Sequence, residues 1–143
     1  MNRIPLSVSF AATLILPSCT KIYTGEELSS KEIEHIKKLG LLDSGEEIYQ
    51  FYSNNGVKGA GNFYTTKRVA RYWHHQQDKQ NEFAYYKDIA RISLTYHPHG
   101  DFVIPSMTII KNDSTQFKVY AEGEEAEVKS FFDNIQTHWR AEK

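Results

Sequence analysis

Apolar positions change their spacing three times along the chain. Ile4 to Leu16 is an uncharged, mostly apolar run, interrupted by Pro5 and by the hydroxyls of Ser7, Ser9 and Thr13. Ile33, Ile36 and Leu39 then recur at helical spacing. Ahead of them, Ser29-Ser30-Lys31-Glu32 reads as a capping box, in which the Ser29 hydroxyl accepts from the Glu32 amide and the Glu32 carboxylate reaches back. Gly40 supplies a left-handed stop. This predicts a short helix over 30–39, too short to persist unless it packs on something.

From Glu46 the period falls to two. Strands are predicted over 46–53, 62–66, 69–73, 82–86, 89–96, 102–110 and 116–121. Turn chemistry separates them at Ser53-Asn54-Asn55-Gly56, across a polar hairpin loop from His74 to Asn81, at His97-Pro98-His99-Gly100-Asp101 and at Lys111-Asn112-Asp113-Ser114. Pro105 suits an edge or a bulge, because it has no amide to donate. Val128, Phe131, Phe132, Ile135 and Trp139 fall on one face of a helix over 123–141. Glu124, Glu125 and Glu127 sit at its positive end and Arg140 and Lys143 at its negative end. The expected fold class is mainly β (α+β): one domain over 30–141, about seven strands closed off by a C-terminal amphipathic helix. Residues 19–29 show no periodicity and read as a solvated tether.

The N-terminus carries a different message. Met1-Asn2-Arg3 is a short basic tip, the apolar run follows, and Leu16-Pro17-Ser18-Cys19 closes it. These are the parts of a secretory signal over 1–18, and the run is shorter than the roughly 20 residues a bilayer span needs. The quartet resembles the lipobox of bacterial lipoproteins. That resemblance implies cleavage before Cys19, a diacylglyceryl group on its sulfur, and often an acyl chain on the new amine. The membrane is then a partner through acyl chains on Cys19, and the domain faces the periplasm from the bacterial envelope. Thr20 stands where an Asp commonly retains such proteins at the inner membrane, which leans towards the outer membrane.

Composition narrows the rest. Cys19 is the sole cysteine, so no intramolecular disulfide forms and the core must hold the fold, with 9 Tyr, 8 Phe and 2 Trp to fill it. Without Arg3 the chain has 16 Lys+Arg against 18 Asp+Glu, a net of −2 that gives no basic field for nucleic acid.

Candidate chemistry is sparse. His74 and His75 are adjacent on a strand and point to opposite faces, which spoils them as a joint metal site. His97 and His99 could converge with Asp101 on zinc or copper if their turn folds suitably. No serine lies in Gly-x-Ser-x-Gly, and Gly56, Gly59 and Gly61 lack the Lys-Ser/Thr and helix of a phosphate loop. Glu46-Glu47 and the Glu124 group read as solvated or dipole-placed. Lys67, Arg68 and Arg71 read as a bend and a solvated strand face. Tyr49, Tyr52, Tyr64, Tyr72, Tyr85 and Tyr86 are expected to divide between core and surface. No catalytic residue and no cofactor is assigned.

Three segments carry a further resemblance: Leu41-Leu42-Asp43-Ser44-Gly45-Glu46-Glu47-Ile48, Phe63-Tyr64-Thr65-Thr66-Lys67-Arg68-Val69 and Tyr86-Lys87-Asp88-Ile89. Together with the strands-then-helix order they resemble the bacterial pleckstrin-homology-like (PH-like) family over about residues 41–140. The resemblance implies two packed antiparallel sheets in a partly open barrel capped by the C-terminal helix. It also implies a binding scaffold without a reaction centre. The chain departs from phosphoinositide-binding relatives, since its first hairpin loop (54–62) carries Lys58 alone. The expectation is a lipid-anchored, non-catalytic module for a protein or peptide partner. Docking is expected at an open sheet edge near Pro105 or in a groove beside the C-terminal helix. The alternative is a small periplasmic metal-binding lipoprotein using His97 and His99.

Overall fold

The computed structural model describes residues 22–96 and 103–143. The signal segment, Cys19, His97 and His99 lie outside the described residues. Within them run β1 (Ile22–Thr24), a 3-10 turn, α1 (Ser30–Lys38), β2 (Ile48–Tyr52), a helical turn α2 (Gly56–Gly59), β3 (Ala60–Thr65), β4 (Arg68–His75) and β5 (Asp78–Tyr85). After a second 3-10 turn come β6 (Ile89–Thr95), β7 (Ser106–Lys111), β8 (Gln116–Tyr120) and α3 (Glu125–Ala141). The strands form two antiparallel sheets, β1-β2-β3-β4-β5 and β6-β7-β8, which do not close into a barrel.

Alternation puts opposite faces of the first sheet into different cores. Tyr52, Tyr64, Val69 and Ala84 pack with Met107, Ile109 and Val119 of the second sheet and with Val128, Phe131, Phe132 and Ile135 of α3. Phe51, Phe63, Ala70 and Tyr72 pack instead under Ile36, Leu41 and Leu42. Hence β3 is buried along its whole length, and α1 is a third layer. Its capping box forms as the sequence predicts, with Ser29 Oγ accepting from Glu32 N at 3.3 Å and Glu32 Oε2 accepting from Ser29 N at 2.7 Å. Gly40 follows at φ +75°, the left-handed stop. The α3 face closes the larger core; burying each of its big side chains contributes about 1.5–3 kcal/mol.

Three expectations are corrected. Residues 22–28 are no tether: β1 pairs with β2 through Ile22↔Tyr52, Tyr23↔Phe51 and Thr24↔Gln50, and Ile22 is buried. Gly25 then passes so close to β2 that a Cβ there would run into the Ile48 carbonyl. The segment from His74 to Asn81 is mostly strand, because β4 and β5 pair out to His75↔Asp78 and leave a two-residue turn in which Gln76 takes φ 53°. With β1 added, the strands among the described residues number eight, against the expected seven or so.

Candidate functional site: clefts between the two sheets

Arg68 organises one end of the domain. Its Nε donates to Glu46 Oε1 at 2.9 Å and its Nη2 to Glu46 Oε2 at 2.7 Å, with a second carboxylate, Asp43 Oδ2, at 2.9 Å from Nη2. The guanidinium lies 4.9 Å from the Phe83 ring centre and 4.8 Å from that of Tyr85. Thr65 Oγ1 donates to Glu46 Oε1 at 2.5 Å and accepts from Lys67 N and Arg68 N at 3.0 Å each. Tyr86 OH donates to Thr65 O at 2.6 Å.

The readings of Arg68 and Glu46 as solvated are therefore wrong, since their side chains are 1% and 0% exposed. Burial alone would lower the Arg68 pKa, but the bonds from Glu46 and Asp43 outweigh it and the net shift is upward. Arg68 holds the Asp43 carboxyl below its usual range. Each hydrogen-bonding group here serves another part of the chain, so the cluster is a fastening: it ties the 43–47 loop to the β3–β4 bend.

The sheets are stitched together further along. The Asn62 side chain accepts from Tyr120 N at 3.0 Å, and Arg71 Nη1 donates to Lys118 O at 3.4 Å while lying 5.6 Å from the Tyr120 ring centre. Side chains of the first sheet thus satisfy backbone groups on the outer edge of β8. Arg71 is half-buried and 3.6 Å from Glu82, which corrects its reading as a solvated charge.

Two openings lie between the sheets. The larger, about 510 Å³, runs between the β5 edge (Asn81, Phe83, Tyr85) and the β7–β8 hairpin (Asp113, Thr115, Phe117). The hairpin is held there by Asn112, whose amide donates to Asp88 O at 2.9 Å and whose side chain donates to Lys87 O at 3.2 Å. A smaller mouth of about 280 Å³, at the other end, is lined by Tyr52, Asn62, Arg71, Trp73, Ile104 and Tyr120 among others. Tyr52 OH donates to Glu122 Oε2 at 2.5 Å; burial first, and then that carboxylate, push its pKa far up.

His74 meets Tyr72 and bonds Asn81 at 2.7 Å, while His75 stacks on Trp73, so the two do point to opposite faces. Tyr52, Tyr64, Tyr72 and Tyr86 are core residues and Tyr49 is exposed. Burial lifts Tyr64 to about 12. A groove beside α3 exists, about 380 Å³, but β1 forms one wall of it through Ile22 and Thr24. Pro105 precedes β7, and its carbonyl accepts from Ala121 N at 3.3 Å. Among the described residues no three His, Cys, Asp or Glu side chains converge as a metal site, and no helix is long and apolar enough to cross a membrane.

No protein-family model, no curated protein and no solved structure matches the chain.

Proposed function

We propose that this chain is a lipid-anchored binding domain of the PH-like kind, held in the bacterial envelope through Cys19 and catalysing no reaction. Its partner is an extended peptide segment of another protein, received in the cleft between β5 and the β7–β8 hairpin. The observation that carries this reading is the open edge of β5. Among the described residues its one strand neighbour is β4, and its residues 81–85 line the 510 Å³ cleft. An unpaired edge beside a cleft is suited to strand addition, where main-chain hydrogen bonds supply affinity and side-chain pockets supply selectivity. Asp78, Lys79 and Glu82 on that strand discourage indiscriminate pairing.

Support for the PH-like part comes from the element order and from one convergence. Asp43 and Glu46, Thr65 and Arg68, and Tyr86 come from the three segments that carry the sequence resemblance, and all meet in the Arg68 cluster.

A photo-crosslinking side chain at Asn81 or Gln116 in intact cells tests the partner. The reading expects a discrete adduct from these two positions and none from Lys31 on α1. Equal labelling from all three, or none, contradicts it.

A further inference from the structure

β1 leaves almost no slack behind the anchor. Only Thr20 and Lys21 separate Cys19 from Ile22, so the Cα atoms of Cys19 and Ile22 are at most about 11 Å apart, whatever the conformation between them. A domain of this size has a radius of gyration of about 14 Å and a diameter of about 35 Å. Ile22 is fixed in the sheet against Tyr52. A lead of about 11 Å is shorter than the radius it would have to clear. An acylated Cys19 therefore sets which end of the domain touches the bilayer, and it must be the end near Ile22.

That end has a recognisable surface. Tyr52, the partner of Ile22, lines the smaller mouth together with Asn54 and Ile104. Ile104 and its neighbour Val103 are 42% and 49% exposed. Leu94, 41% exposed, lies at the same end, since the next residue, Thr95, pairs with Ser106 at the start of β7. Three of the five exposed large hydrophobics among the described residues thus gather at the end of the domain where Ile22 begins β1. The start of α3 is also nearby and is acidic: Glu127 lines a groove with Ile22, and Glu122 bonds Tyr52. The attraction to lipid at this end is apolar and does not depend on anionic headgroups.

Resting on the lipid-anchor reading, we infer that this face lies directly on the bilayer, with Val103 and Ile104 entering its interfacial layer. The β7–β8 hairpin wall of the cleft beside β5 then lies away from the membrane. That hairpin sits at the far end of β7 from Ile104, and a six-residue strand spans about 17–20 Å.

The test uses the full lipidated chain in phosphatidylcholine vesicles, labelled with an environment-sensitive fluorophore at I104C, at N54C or at D113C. The expected result is blue-shifted emission at 104 and 54, quenched severalfold more by lipid-borne quenchers than at 113, and unchanged by added anionic lipid. N54C keeps the test valid if I104C does not fold. Water-like emission at 104 and 54 with Cys19 shown by mass to be acylated overturns the inference and leaves the anchor standing. A chain without acyl groups on Cys19 overturns both.

Discussion

Arg68 and Glu46 form a two-pronged ion pair, at 2.9 and 2.7 Å, with both side chains buried. Such a pair couples the loop before β2 to the β3–β4 bend. Removing one partner strands the other charge in the interior. We predict that Arg68→Met or Glu46→Met each destabilises the fold by about 3–5 kcal/mol, whereas the double Met variant recovers most of the loss. Urea unfolding of the three variants measures this. Additive single effects would show that the two residues are not coupled.

His35 gives a pH dependence of known sign. Its pKa is lowered from 6.5, first by burial and then by His74, Lys58 and Lys38. Its Nε2 is buried and without a partner among the described residues, and its ring meets Tyr72 edge-on. The folded state thus takes up a proton less readily than the unfolded chain. The stability this gives is fully present above pH 6.5 and is lost as pH falls below it. His35→Leu should flatten the stability profile on the acid side of neutrality. An unchanged slope in that variant would assign the dependence to another group.

Two glycines are held by close approach. A Cβ on Gly61 would overlap the rings of Tyr72 and Phe51, and overfilling a packed layer costs about 1–3 kcal/mol. A Cβ on Gly25 would strike the Ile48 carbonyl, which is backbone and cannot rotate away. Gly61→Ala should therefore lower global stability. Gly25→Ala should act locally, freeing residues 22–28 while the rest stays folded. Hydrogen exchange resolved by residue distinguishes the two patterns.

Asn62 and Arg71 act as substitutes for a missing strand beside β8. Asn62→Ala removes the acceptor of the Tyr120 amide. We predict faster exchange of that amide by at least an order of magnitude, about 1.4 kcal/mol of local protection, with little change in the β2–β3 amides. Equal loosening of both would mean that the bond holds the whole sheet rather than one edge.

Much of this architecture is legible in the residues, and the gaps have physical causes. The α3 face is readable because five large apolar residues keep helical spacing over three turns. The α1 capping box is readable because both halves of it lie within four residues. β1 is not, since three residues are too few for a period to show. The Asp78–Asn81 half of β5 is polar throughout and exposed, so it has no alternation to detect. Arg68 misleads because its carboxylate partner lies 22 residues upstream, and nothing local marks a charge that will be buried. The β5 cleft is equally invisible, as it is created by two segments about 30 residues apart that only the fold brings side by side.

The proposed lipid anchor is tested most directly by the intact mass of the protein extracted from bacterial membranes. The expected result is a chain beginning at Cys19, heavier than its residues by two or three acyl chains with their glycerol. A chain of unmodified mass that still begins at Met1 would contradict it.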